Sequence, residues 1–300
     1  MTLQRDRENQ ITPGMKVKIT GSSGYLGTLI TKKLQNHGYK VSGIPRKLLY
    51  GPTEKLSSVL HDSHIVINLA GSPILTRWTK KNKKVIYESR VKTTQNLVNA
   101  INKLPVENQI QKIISASAIG IYTSGKKHDE TSTEFNTDFL GKVVRDWEKS
   151  LNGLPPRIPK IIFRMAPVLG KNSETVKQMW LPFKMGIGGT IGNGKQPFPF
   201  IHEEDIARAY LWAIENYMQS GLFNLSAPDS VTNKEFTRAF SKRLHRPALL
   251  KVPGLVLKLL YGEAAETLLD SPVAEPRLLQ EAGYQFKFPD IDSVLNNILP

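Results

Sequence analysis

The stretch "MKVKITGSSGYLGTLITKKLQNHGYKVSGI", residues 15–44, leaves few folds open. Met15, Val17 and Ile19 alternate with polar residues, which is the period of a strand. Gly21, Gly24 and Gly27 follow at once. Leu26, Leu29, Ile30 and Leu34 then recur at helical spacing, and Gly38 is a C-terminal stop. A second strand occupies 39–44. Strand, glycine turn, helix and strand make one βαβ unit.

The rest of the chain repeats the alternation. Residues 64–70 ("HIVINLA"), 112–118 ("KIISASA") and 160–166 ("KIIFRMA") read as buried parallel strands. Residues 83–103 and 138–151 read as helices between them. The pattern specifies an α/β fold with a Rossmann-type doubly wound parallel sheet. Residues 181–200 are rich in Gly and Pro and have no clear period, the texture of a lid, a hinge or a plain connector. Helix returns at 205–218. "TNKE", 232–235, is a capping-box pattern ahead of Phe236, Phe240 and Leu244. The expected organisation is a disordered extension over 1–14 and a nucleotide-binding domain over 15–170, to which 201–226 return. Residues 171–200 and 227–300 form a smaller, mostly helical substrate or cap domain.

The glycine turn has a chemical reading. Gly21 permits the tight turn and Gly24 lets backbone approach a pyrophosphate. Gly27 lets helix and sheet pack closely, and the anion sits at the helix N-terminus. Gly21, Ser22, Ser23, Gly24, Tyr25, Leu26 and Gly27 are therefore candidate cofactor-binding residues. The second strand ends at Ile44, followed by Pro45, Arg46 and Lys47. An acidic residue there would take the ribose 2′-hydroxyl of NAD. A basic pair suits a 2′-phosphate, so NADP(H) is the expected cofactor and Arg46 its candidate partner.

Charge agrees. Residues 1–150 carry 24 Lys+Arg against 12 Asp+Glu, and residues 151–300 carry 17 against 14. A basic half suits an anionic partner, whether phosphorylated cofactor, anionic small-molecule substrate or nucleic acid, although surface lysines also serve solubility. With no cysteine, disulfides and thiolate chemistry are excluded. The six histidines are scattered with no metal-site spacing, so no metal is expected. No apolar run approaches the roughly 20 residues of a membrane span, "LVLKLLYG" at 255–262 included, so no membrane partner is expected. The N-terminus lacks an apolar signal core, and Asp6 and Glu8 spoil it as a presequence. The expectation is an intracellular protein, with the cytoplasm favoured and the mitochondrial matrix left open. Its oligomeric state is left open.

"TGSSGYLG" at 20–27, "NLAG" at 68–71 and "IHEED" at 201–205 resemble motifs of the extended short-chain dehydrogenases/reductases. "SRVKTTQNL" at 89–97, "SASAIGIY" at 115–122, "DFLGKVVRDWE" at 138–148 and "LPFKMGIGGTIGNGKQPFPF" at 181–200 are similar to an atypical subgroup. That subgroup is called epimerase family protein, or cell-division-inhibitor-like. The resemblance runs from about Met15 to the C-terminus. It implies NADP binding, with Asn68, Leu69, Ala70 and Gly71 beside the adenine ribose and Arg90 near substrate or nicotinamide ribose. It implies little about chemistry. One stretch departs from the superfamily: residues 47–63 are too few for the usual third strand and its helix, so a trimmed sheet is expected there.

The superfamily's working enzymes place a Ser after a central strand and a Tyr-x-x-x-Lys pair on the next helix, where the tyrosine is the general acid or base. Tyr122-x-x-x-Lys126 has the spacing but brackets Ser124-Gly125, a turn. The helix that should carry the pair reads Leu140/Val144 or Phe139/Val143, and Lys142 has an ordinary ion-pair spacing to Asp138. What remains is Ser117, as a hydrogen-bond donor to substrate or a polar strand end, and Tyr122, as a displaced proton donor or a packing tyrosine. Arg164 and His202 are candidate pocket residues, with His202 and Asp205 also suited to ordering a turn and capping a helix. Two readings result: an NADP-dependent oxidoreductase or nucleoside-sugar-epimerase-like enzyme, or an NADPH-binding sensor or scaffold without catalysis. A nucleic-acid binder rests only on charge and "RWTKKNKK", 77–84, with no recognised motif.

Overall fold

The computed structural model describes residues 14–105 and 110–300. The extension expected over 1–14 lies, except for Gly14, outside them. Six parallel strands form the central sheet: β1 (Lys16–Thr20), β2 (Lys40–Ile44), β3 (Ile65–Asn68), β4 (Lys112–Ala118), β5 (Lys160–Met165) and β6 (Gly221–Leu225). Their order is β2-β1-β3-β4-β5-β6. The reversal between β1 and β3 leaves a crevice at the strands' carboxyl ends, where doubly wound folds bind ligands. β2 is an edge strand. Residues 46–60 hold only two short helices, Arg46–Leu49 and Thr53–Leu60, so the chain returns to β3 without adding an outer strand.

Alternation along the strands builds two cores. Ile65 and Ile67 of β3 join Val17, Ile30, Leu34 and Tyr210 on one face, while Val66 joins Leu56, Leu97 and Ile101 on the other. The first face is covered by α1 (Tyr25–Asn36) and by the later helix Glu203–Glu215, the second by Thr53–Leu60 and helices on either side of β4.

The single helix expected over 83–103 is two, α2 (Lys80–Glu88) and α3 (Val91–Asn102). The break has a side-chain cause. Ser89 Oγ donates to Ile86 O at 3.0 Å and accepts from Ser72 N at 3.0 Å, and Arg90 bonds the same loop. α4 (Phe139–Ser150) matches its expected position. Lys142 pairs with Asp146 at 2.9 Å and not with Asp138, because Asp138 caps the helix by accepting from Gly141 N at 2.7 Å. Helix α5 (Glu203–Glu215) begins two residues earlier than expected, at its His202 cap.

The Gly/Pro-rich stretch is not structureless. Helix Glu174–Lys184 runs into it with Pro182 inside, and Gly189–Ile191 pairs in parallel with Leu250–Val252. The "TNKE" capping box is complete: Thr232 Oγ1 accepts from Glu235 N at 3.2 Å and Glu235 Oε2 accepts from Thr232 N at 2.7 Å. It starts helix Asn233–Arg243, which sends Phe236 and Phe240 into a third cluster with Phe183, Phe200 and Leu295. We take that cluster as the core of the cap. Among the described residues no helix is long and apolar enough to cross a membrane.

Candidate functional site

The crest between β1 and β3 is built around the glycine turn. Gly21 has φ +67°, a conformation that favours glycine. Gly27 is pressed on the turn: a Cβ there would lie 2.1 Å from Gly21 O. Gly24 N donates to Gly21 O at 3.0 Å, and no side chain caps α1 at Gly24. The first N–H groups of α1 therefore lack a side-chain acceptor, as an anion site requires. Ser23 and Gly24 are exposed, and Leu26 packs on the core. Ser22 lies over β2, where a Cβ on Gly43 would meet its Oγ at 2.1 Å. Tyr25 donates its hydroxyl to Glu203, tying the start of α1 to that of α5. Gly170 makes room for the pair, since a Cβ there would lie 2.2 Å from each oxygen.

Arg46 and Lys47 are exposed beyond the end of β2, and neither is in an ion pair among the described residues. The Arg46 guanidinium lies 5.8 Å from the Tyr50 ring centre.

The "NLAG" segment divides. Asn68 is a buried hub: it donates to Thr94 Oγ1 at 2.9 Å and Ser115 Oγ at 3.2 Å, and accepts from Thr20 Oγ1 at 2.9 Å. Leu69 N and Ala70 N donate to Thr20 Oγ1 at 2.9 and 3.0 Å. Asn68 thus shapes the loop from below, and its side chain does not face a ligand. Gly71 is exposed at the loop's top.

Arg90 corrects its expected role. It is buried, donates to Ser72 O at 2.9 Å and Ile86 O at 3.3 Å, and lies over the Trp147 ring. Burial lowers its pKa to about 10. It clamps the 71–72 loop to α2 with two of its five N–H groups.

Tyr122 is a second correction. It is 0% exposed, donates to Asn224 Oδ1 at 2.8 Å, and accepts from Arg164 at 2.9 Å. Its ring stacks on His128, with centres 4.8 Å apart. A general acid must reach the substrate oxygen. Tyr122 is walled off from solvent, and burial pushes its hydroxyl pKa up. Lys126 points outward to Glu134. The two matching positions are not a working pair.

Ser117 and Arg164 meet at a residue the sequence reading passed over. Glu148 accepts from Ser117 Oγ at 2.6 Å, from Arg164 Nε at 2.8 Å and from Arg164 Nη2 at 2.7 Å. Arg164 in turn donates to Tyr122, so Ser117, Glu148, Arg164, Tyr122 and Asn224 form one chain of hydrogen bonds. Arg164 is a buried strut; the fork-to-carboxylate geometry holds it charged despite burial. Glu148 and Arg164 line a cavity of about 290 Å³ with Arg145, Lys149, Lys160 and Ile162, beneath α4 and away from the glycine turn. A signal for Glu148 existed: it stands four residues after Val144 on the buried stripe of α4, where an acid needs a partner.

The positions expected to hold Tyr and Lys are apolar in space as well as in sequence. Leu140 rests on Gly120, where a Cβ would lie 2.7 Å from its Cδ2. It joins a cluster with Ile74, Trp78, Phe139 and Tyr261.

His202 is a cap and not a pocket residue. Its Nδ1 accepts from Glu204 N at 3.0 Å and its Nε2 lies 3.1 Å from Asn297 Oδ1. Burial lowers its pKa to about 4, so the ring is neutral. Asp205 accepts from Lys287 N at 2.7 Å and Phe288 N at 3.0 Å, fastening "GYQFKFPD" to α5.

The NAD dependent epimerase/dehydratase family matches residues 17–226, and a domain of unknown function, DUF1731, matches residues 252–298. The mouse epimerase family protein SDR39U1 is 33% identical over 294 residues, covering 95% of this chain and 100% of that protein. The YfhF protein of Bacillus subtilis is 31% identical over 299 residues, covering 95% of this chain and 98% of that one. A crystal structure of human SDR39U1 with NADPH superposes with a TM-score of 0.88 at 33% identity, covering 95% of this chain and 99% of that one. Sheet order, glycine turn and the matched span agree: the chain belongs to the NAD dependent epimerase/dehydratase family, as an atypical epimerase family protein of the extended short-chain dehydrogenase/reductase type.

Proposed function

We propose that the chain binds NADP(H) at the glycine turn and acts as an oxidoreductase or epimerase-like enzyme on a carbonyl or hydroxyl compound. The observation that carries the cofactor is the turn itself: Gly21 at φ +67°, Gly27 without room for a Cβ, and an uncapped helix end with Gly24 exposed. A dinucleotide's pyrophosphate fits that cradle. Arg46 and Lys47 would take a 2′-phosphate, and Gly71 would lie beside the adenosine half. The relative solved with NADPH supports the same reading.

The nicotinamide, when bound, supplies or accepts the hydride. The chain's own share is narrower than in a Tyr/Lys enzyme. Ser117 is the hydroxyl near the carboxyl end of β4, and Glu148, braced by Arg164, fixes its rotamer. Ser117 is buried and gives its one O–H to Glu148, so it would orient a substrate oxygen only by turning that O–H away from Glu148. With Phe139/Val143 and Leu140/Val144 apolar in either register and Tyr122 sealed, the proton would reach that oxygen from water. The wall formed by Leu140, Trp78 and Tyr261 keeps other water away from the reacting carbon. The sensor reading keeps one observation in its favour, that Ser117 and Tyr122 are both engaged inside the protein.

The test pairs binding with turnover. NADPH is titrated into the wild type and Gly24→Ala, whose methyl would enter the pyrophosphate space. A carbonyl panel is then run with wild type and Ser117→Ala. The reading expects NADPH binding that Gly24→Ala weakens at least tenfold, and turnover that Ser117→Ala lowers. NADPH binding with no turnover anywhere on the panel favours the sensor. No NADPH binding overturns both readings.

A further inference from the structure

The cavity beneath α4 has a charge that the proposed cofactor site does not use. Four cations line its 290 Å³: Arg145 and Lys149 from α4, and Lys160 and Arg164 from β5. Their placement follows from the sequence. Arg145 and Lys149 are four residues apart and share a helix face, while Lys160, Ile162 and Arg164 alternate onto one face of the strand. Two basic rows therefore meet at one cavity.

That charge is not balanced. Glu148, the one acid in the lining, is already held by Arg164 through bonds of 2.8 and 2.7 Å. Asp146, beside Arg145 in the chain, turns to Lys142 and Tyr87. Four cations against one carboxylate leave three positive charges. Among the described residues Arg145, Lys149 and Lys160 are in no ion pair. Arg145 donates to Asn136 O, and Lys160 donates to Asn152 Oδ1 at 3.2 Å and Leu151 O at 3.5 Å. Lys149 stands exposed at the rim. Arg164 adds a buried donor. Its side chain is 5% exposed, and its bonds to Glu148 and Tyr122 use three of its five N–H groups. The other two have no acceptor among the described residues. A buried N–H without an acceptor is costly, so a guanidinium with N–H groups to spare favours an acceptor in the cavity it lines.

We propose that this cavity binds a small phosphate monoester, with the phosphate among Arg145, Lys149 and Arg164 and the carbon end against Phe135 and Ile162. A tetrahedral dianion offers oxygens to cations arriving from both a helix and a strand, whereas a carboxylate is planar and carries one charge. Ligand sites run from about 300 to 1,000 Å³, so a cavity at the small end takes a compact molecule and excludes a second dinucleotide. The assignment does not depend on the cofactor reading.

The experiment titrates glycerol 3-phosphate, succinate and lactate into the full chain by calorimetry at fixed ionic strength, with and without saturating NADPH. Expected is glycerol 3-phosphate bound about tenfold or more tightly than either carboxylate. NADPH should leave its Kd within about twofold, as for separate sites. Arg145→Gln/Lys149→Gln should weaken binding about tenfold or more through the loss of two charge-assisted contacts. Lys40→Gln removes one exposed charge on the edge strand β2 and should change nothing. An unaltered thermal midpoint verifies the folding of each variant. If the double variant unfolds, Lys149→Gln alone, at an exposed position, should weaken binding about threefold. No binding of glycerol 3-phosphate, succinate bound as tightly, or an equal loss in Lys40→Gln overturns the assignment. Binding that vanishes once NADPH is present places the anion at the glycine turn and overturns it too. Failure of NADPH itself to bind sinks the cofactor reading alone, since the variants still decide the cavity.

Discussion

Tyr122→Phe separates a structural tyrosine from a catalytic one. The change removes one oxygen and leaves the ring against His128. Asn224 Oδ1 loses its donor at 2.8 Å, and one Arg164 N–H loses its acceptor at 2.9 Å. Both groups are buried. A buried polar atom stripped of its partner costs about 1–3 kcal/mol. Asn224 still donates to Glu275 O and Arg164 still holds Glu148, so the cluster relaxes without collapsing. The expected loss is about 2 kcal/mol, read as a lower urea midpoint with an unchanged m-value. NADPH affinity and any turnover, measured well below the new thermal midpoint, stay within about twofold of wild type. A variant as stable as wild type that loses turnover a hundredfold or more would refute this reasoning and restore Tyr122 as the proton donor.

Other consequences follow from the buried charges. Glu148→Gln strips the buried Arg164 guanidinium of its carboxylate and should cost about 3 kcal/mol or more in denaturant unfolding. His202 is held neutral with its pKa lowered to about 4 from 6.5, so the unfolded chain takes up this proton first. Its contribution is complete above pH 6.5 and is lost as pH falls towards 4, about 3 kcal/mol across the window. His202→Asn keeps a capping side chain and should flatten the acid limb of the stability profile. Lys112, fully buried and donating to Asn216 O and Tyr217 O, has its pKa lowered by burial to about 8. Between pH 8 and 10.5 the unfolded chain holds more of this proton, so stability rises with pH there relative to Lys112→Met.

What the sequence disclosed was local. The glycine turn, the βαβ unit and the Thr232–Glu235 capping box each complete their bonding within a few residues, so pattern and structure coincide. The trimmed edge at β2 was legible from chain length alone. Long-range pairing was not. Tyr122 is sealed by Asn224, 102 residues away, and Arg90 is turned inward by Ser72, so neither fate is written in spacing. The break between α2 and α3 has the same origin, because the Ser89 hydroxyl serves a loop 17 residues earlier. "LVLKLLYG" is too short for a membrane span, and it folds as the short helix Gly254–Tyr261. The family resemblance gave the fold correctly, but its proposed ligand positions Asn68 and Arg90 bond internal partners here.

The proposed dinucleotide site reads a 2′-phosphate. The direct measurement is the Kd of NADPH against NADH for wild type and Arg46→Ala, at fixed ionic strength. A charge-assisted bond from an exposed guanidinium predicts NADPH tighter by about tenfold or more, with most of that preference lost in Arg46→Ala and NADH unchanged. Equal affinities for the two dinucleotides, untouched by the substitution, would contradict it.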